Sequence, residues 1–286
     1  MTDHNAEHHM VRNTVRDNYA KIAESGGNSG CCGPTSDGGG CCGPSDNVEI
    51  PSAQQMSAFF GYSDEEMAAV PDGANLGLGC GNPQAIADMK AGEVVVDLGA
   101  GAGFDAFLAA GKVGPTGHVI GIDMTYEMLA KARANAEKGG YSHVEFRLGE
   151  IEYMPIANDT ADVIISNCVI NLSPNKPQVL REAFRVLKPG GRLAISDVVA
   201  TAPFPADFED DDHLLSGCVI GASLVDDMQT WLEDAGFSKV LIDIKEESRA
   251  GIADWAPGRG VEKYVVSAII TGEKPGGGCC GGGATC

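Results

Sequence analysis

Basic residues are scarce in this chain. Lys and Arg total 20 against 40 Asp and Glu, a formal net charge of −20. Nucleic acid and anionic membrane surfaces would repel such a protein, so neither is an expected partner. The balance favours cationic or neutral ligands only weakly, because solubility or a salt-adapted host accounts for the same excess. Long apolar runs are missing as well. Nothing approaches the ~20 residues of a membrane span, and residues 1–10 carry neither the basic start nor the apolar stretch of a secretory leader. A cytoplasmic protein is expected, in which cysteines stay reduced and are more often reactive or metal-binding than structural. Also absent is the close Cys-x₂₋₄-Cys spacing of structural zinc folds, although there are 10 cysteines.

What is present divides into five stretches. Residues 1–50 read as a flexible Cys/Gly-rich tail containing the duplication Cys31-Cys32-Gly33-Pro34 and Cys41-Cys42-Gly43-Pro44, and residues 275–286 as a second tail with Cys279, Cys280 and Cys286. Such segments bury too little apolar surface to offset chain entropy. Paired cysteines there suit capture of a thiophilic ion as well as they suit simple oxidation. Between the tails, residues 51–90 form a cap that carries Cys80, residues 91–200 a ligand-binding α/β domain, and residues 201–274 a C-terminal substrate-binding region.

The central pattern alternates. Val94–Asp97, His118–Asp123, Val144–Leu148, Ala161–Ser166 and Arg192–Val198 are short apolar runs of the fully buried strand type. Helices are expected over Phe104–Ala110, from Thr125 to about Lys138 with Gly139-Gly140 ending it, and over Gln178–Leu187 with Lys188-Pro189-Gly190-Gly191 as the stop. A helix near Asp226–Ala235 and strands near Lys239–Ile244 and Lys263–Thr271 follow. Strands alternating with helices predict a doubly wound, mainly parallel, seven-stranded Rossmann-like sheet.

In such sheets ligands bind at the carboxyl ends of the strands. Asp97-Leu98-Gly99-Ala100-Gly101-Ala102-Gly103 closes the first strand, but the sixth position from Gly99 is Phe104, so a dinucleotide fingerprint fails. Asp97 would oppose a pyrophosphate and suits a ligand with an ammonium group. Asp123, 20 residues after Gly103, stands where a carboxylate takes ribose hydroxyls. Together these features predict S-adenosylmethionine, with Gly99, Gly101 and Gly103 in the turn and Met124 following Asp123. Glu150 and Ile151, after the third strand, are candidates for adenine; Asn167 and Val169, after the fourth, for the methionine part. Cys168 lies between those two. Cys80 and Cys218 are the other lone cysteines outside the tails, and three thiols suggest a site for a soft element. No His lies in these strand-end segments to serve as a base.

Leu76-Gly77-Leu78-Gly79-Cys80-Gly81-Asn82-Pro83, the Asp97–Gly103 turn, Gly121-Ile122-Asp123-Met124, Ile165-Ser166-Asn167-Cys168-Val169-Ile170-Asn171-Leu172 and Cys218 together resemble the arsenite S-adenosylmethionine methyltransferases of bacterial type, from about Gly61 to Ala268. The resemblance implies that Cys80, Cys168 and Cys218 bind As(III), that arsenite and methylated trivalent arsenicals are substrates, and that a thiol reductant of thioredoxin or glutathione type is a co-substrate. It also implies an upstream cysteine in redox exchange with Cys80, a role for which Cys31, Cys32, Cys41 and Cys42 compete. Gly217 stands where many relatives have an acidic residue. Two other readings remain: a methyltransferase of a small organic molecule, and a thiol-rich protein that sequesters metalloid without turnover.

Overall fold

The computed structural model describes residues 3–25, 52–205, 208, 219–256 and 258–276. Cys218, Cys31, Cys32, Cys41, Cys42, Cys279, Cys280 and Cys286 lie outside the described residues. The strands are β1 (Val94–Leu98), β2 (His118–Asp123), β3 (Val144–Leu148), β4 (Ala161–Asn167), β5 (Leu187–Ala200), β6 (Ser223–Leu224), β7 (Ser238–Lys245) and β8 (Val265–Glu273). Their order across the sheet is β3-β2-β1-β4-β5-β8-β7, with the two-residue β6 pairing with β5 beside that path. From β3 to β5 every pairing is parallel; β8 runs antiparallel to both β5 and β7.

Both faces of the sheet are covered, which is why its central strands are apolar without alternation. Val96, Ile120 and Ile164 point to one face, where α6 (Lys176–Val186) and α7 (Val225–Ala235) supply Leu180 and Leu232. Val95, Val119 and Val163 point to the other, against Phe107 of α4 (Phe104–Val113) and Leu129 of α5 (Tyr126–Gly139). Lys188-Pro189-Gly190-Gly191 ends α6 as expected, but it also belongs to β5. Leu187 pairs with Ala161, the register then shifts, and Arg192 pairs with Val163. The first residues of β5 are also tied to the end of β8 by Lys274, whose carbonyl accepts from Gly190 N at 2.8 Å and whose N–H donates to Gly191 O at 2.9 Å.

The N-terminal segment differs from expectation. Asp3–Ser25, read above as part of a flexible tail, form helix α1. Val15, Tyr19 and Ile22, at spacings of four and three, make one apolar stripe. Ile22 and Ala23 pack with Leu76, Ala102 and Met128, and Val15 joins the cluster that contains Cys80 and Cys168. The helix therefore lies over the carboxyl ends of the strands. Within the cap, α2 (Ala53–Phe59) and α3 (Asp64–Ala68) each start with a capping box, Ser52 with Gln55 and Ser63 with Glu66.

Candidate active site

A cleft opens at the carboxyl ends of β1, β2 and β4, beneath α1. Of the residues expected to bind the methyl donor, Asp97, Gly99, Gly101, Asp123, Met124, Ile151, Asn167 and Val169 line it, and Cys168 lines it with them. Gly103 and Glu150 do not. A Cβ at Gly103 would stand 2.6 Å from the Phe107 ring and 3.0 Å from Phe146, so this glycine lets helix α4 approach the sheet. Gly101 is the one that leaves room for a ligand. Its φ is +53°, and a Cβ there would find nothing nearer than Met128 Sδ at 4.0 Å. Glu150 turns to α1 and pairs with Arg12 at 3.3 Å.

The carboxylates are arranged by the backbone. Asp123 Oδ2 accepts from Gly101 N at 2.9 Å and Oδ1 from Thr125 N at 2.7 Å, which ties the glycine turn to the end of β2. Burial raises its pKa against the pull of these donors. Asp97 is 2% exposed, and its Oδ2 has no hydrogen-bond partner. Burial first, then the charges of Asp105 and Asp123, hold its proton well above the usual carboxylate range. An unpartnered buried acceptor costs ~1–3 kcal/mol. A cationic ligand group beside Asp97 would remove that cost and favour the ionised form, so these residues fit the ammonium end of S-adenosylmethionine.

Cys80 and Cys168 meet at the side of the cleft. They are joined as a disulfide across 88 residues of sequence, with Cα atoms 5.7 Å apart. Among the described residues the partner of Cys80 is thus Cys168, and the four upstream cysteines proposed to exchange with it lie outside those residues. Cys168 has φ +57°, a left-handed conformation uncommon for a residue with a side chain. Its N–H donates to Ser196 O at 2.8 Å, holding the loop after β4 against β5.

Residues 89–236 match the family model described as a methyltransferase domain. An arsenite methyltransferase of Halobacterium salinarum is 53% identical over 270 residues, which cover 93% of this chain and 67% of that protein. This chain belongs to the arsenite methyltransferase family. An arsenite methyltransferase of Aquipseudomonas alcaligenes is 45% identical over 50% of this chain and 44% of its own length. In structure, an arsenic(III) S-adenosylmethionine methyltransferase from Chlamydomonas reinhardtii superposes with a TM-score of 0.54 at 32% identity, covering 79% of this chain and 73% of that one. The sheet is that of class I methyltransferases, Rossmann-like and mainly parallel as the sequence predicted, with the two-residue β6 as an eighth strand beside the seven expected.

Three features of this family member escaped the sequence reading. Asp197, fully buried in β5, brings a carboxylate oxygen within 4.8 Å of the sulfurs of Cys80 and Cys168. It accepts from Ile170 N at 3.0 Å, Asn171 Nδ2 at 2.9 Å and Val198 N at 2.8 Å, and burial still pushes its pKa to about 6. A lone acid inside an apolar strand was the available signal. Asn167, expected to meet the methionine part, spends its amide on the cap: Oδ1 accepts from Cys80 N at 3.0 Å, and Nδ2 donates to Gly81 O and Tyr62 OH, both at 2.9 Å. Tyr62 in turn donates to the buried Asp105 at 2.7 Å. Third, Glu152 rather than Glu150 lines the cleft, held by Ser173 Oγ at 2.6 Å and Arg12 at 3.4 Å. No helix among the described residues is long and apolar enough to cross a membrane.

Proposed function

We propose that this chain transfers a methyl group from S-adenosylmethionine to trivalent arsenic bound by Cys80, Cys168 and Cys218. The observation that carries this reading is the meeting of Cys80 and Cys168, far apart in sequence, beside a cleft whose carboxylates suit the methyl donor. Asp123 and the Gly99–Gly101 turn hold the ribose side, Ile151 covers adenine, and Asp97 takes the ammonium. Bound there, S-adenosylmethionine supplies an electrophilic methyl on a sulfonium centre.

Trivalent arsenic prefers sulfur ligands, and three thiolates in a pyramid leave its lone pair on the open side. Arsenic is then its own nucleophile, and the protein needs no general base; no His is among the described residues lining the cleft. The chain's work is positioning, which supplies on the order of 7–11 kcal/mol when two reactants are held in near-attack geometry. The left-handed Cys168 loop and the Asn167 bracket on the cap are the devices that fix two of the sulfurs. The disulfide must open before either sulfur binds arsenic. A thiol reductant of thioredoxin or glutathione type delivers two electrons and two protons, leaves two cysteine thiols and itself becomes a disulfide.

The test is to incubate the full-length protein with arsenite, S-adenosylmethionine and a thiol and to identify the arsenic species formed. Methylated arsenic is expected. Cys80→Ser should lose methylation of arsenite yet retain activity on a monomethylated trivalent arsenical, which needs two thiolates; Cys168→Ser and Cys218→Ser should lose both. Wild-type rates in all three variants would return the reading to a methyltransferase of an organic molecule.

A further inference from the structure

The cleft holds an unpaired donor as well as the unpaired acceptor of Asp97. Asn75, in the cap, lines the cleft, and its Nδ2 is buried without a hydrogen-bond partner. The amide cannot be turned round. Asn75 Oδ1 accepts from Gly77 N at 2.9 Å and from Ser57 Oγ at 3.0 Å, and a backbone N–H can only donate, so the oxygen must face it. Fixed in this way, the NH₂ group offers its hydrogens to whatever fills the cleft.

The surrounding charges say what that is. Asp97, Asp105, Asp123 and Glu152 all line the cleft, and Arg12 is the one cation among the described lining residues. Arg12 is already paired with Glu150 and Glu152. Arg12 Nε also lacks a hydrogen-bond partner, but it stands 3.3 Å from Glu150 and 3.4 Å from Glu152, so the unpartnered side-chain donor that no carboxylate already faces is Asn75 Nδ2. Asn75 shares the cleft lining with Asp97 and is tied to the Asp105 network: Ser57, which donates to Asn75 Oδ1, accepts at its carbonyl from Tyr62 N at 3.1 Å, and the Tyr62 hydroxyl donates to Asp105 at 2.7 Å. We infer that Asn75 donates a hydrogen bond to the carboxylate of the methyl donor's amino-acid end, opposite the ammonium taken by Asp97, and so selects ligands that carry both charges. This rests on S-adenosylmethionine being the donor.

Titration calorimetry on the full-length protein tests it with three probes: S-adenosylhomocysteine, which has both charges; decarboxylated S-adenosylmethionine, which keeps the ammonium; and 5′-methylthioadenosine, which has neither. Asn75→Asp retains the oxygen that Gly77 and Ser57 need and replaces the donor by an anion. It is expected to weaken S-adenosylhomocysteine at least tenfold, leave 5′-methylthioadenosine within twofold, and tighten the decarboxylated cation. Asn75→Ala should lose affinity for S-adenosylhomocysteine to a smaller degree and gain nothing with the cation. Unchanged S-adenosylhomocysteine affinity in Asn75→Asp, or an equal loss for 5′-methylthioadenosine, would overturn the assignment. A wild-type protein that binds none of the three overturns the donor reading itself, so the two failures are read from different arms.

Discussion

Reduction of the Cys80–Cys168 disulfide is expected to soften the fold, and arsenite to restore it. The bond closes a loop of 88 residues that contains β1, β2, β3 and β4. In the chain-entropy model a loop of that length restricts the unfolded state by about 4.5 kcal/mol. Proteins of this size shift by ~2–4 °C per kcal/mol, so reduction should lower the melting temperature by ~9–18 °C. Arsenic bonded to both sulfurs closes the same loop, and it adds the stabilisation of any ligand that binds only the native state. The assay is circular dichroism melting of the oxidised protein, the reduced protein, and the reduced protein with arsenite. The Cys80→Ser/Cys168→Ser double variant serves as control, since it should respond to neither reductant nor arsenite. Coincident melts of the oxidised and reduced wild type, or equal rescue of the double variant by arsenite, would refute the reasoning.

The donor cleft and the buried acid give two further predictions. Gly101→Val should abolish binding of S-adenosylhomocysteine in calorimetry, because its side chain would enter the open space above the turn, whereas Asp123→Ala should weaken it about tenfold or more through loss of a hydrogen bond to a charged group; unchanged affinity in both would misplace the donor. Asp197 has a folded-state pKa of about 6 against ~3.9 for an unfolded chain. The folded state thus holds a proton that the unfolded state releases between those values, and the associated stability is present at low pH and lost as pH rises through about 6. Measured by denaturant unfolding, wild type should lose about 3 kcal/mol relative to Asp197→Asn between pH 4 and pH 7, and a pH-independent difference would show that Asp197 does not titrate in this way.

The sheet was legible because parallel strands buried on both faces leave uninterrupted apolar runs, and β2 and β3 began and ended where the sequence placed them. Glycine and proline marked the helix ends for the same reason, that few residues adopt those conformations. What they could not mark was that Lys188–Gly191 both stops a helix and starts a strand, since the shifted register of β5 depends on its partner. In the site, the strand-end carboxylates were legible and line the cleft, and Cys168 lines it with them, whereas Cys218 lies outside the described residues. The pairing of Cys80 with Cys168 was out of reach, because no local rule connects residues so distant in the chain. Asn167 shows the limit from the other side: its position at the end of β4 was correct, but its hydrogen bonds go to a cap whose placement only the folded chain defines.

Helix α1 changes how the cysteine-rich segment behind it can be studied. Arg12, Val15 and Tyr19 form part of the cleft wall, so a deletion that runs from the N-terminus through the cysteine-rich stretch removes helix α1 with it. A truncation designed to discard Cys31, Cys32, Cys41 and Cys42 would also strip a side from the donor site and release Glu150 and Glu152 from their arginine. Lost activity in such a truncation would say nothing about thiols. Serine replacements in the intact chain keep the wall standing and separate the two contributions.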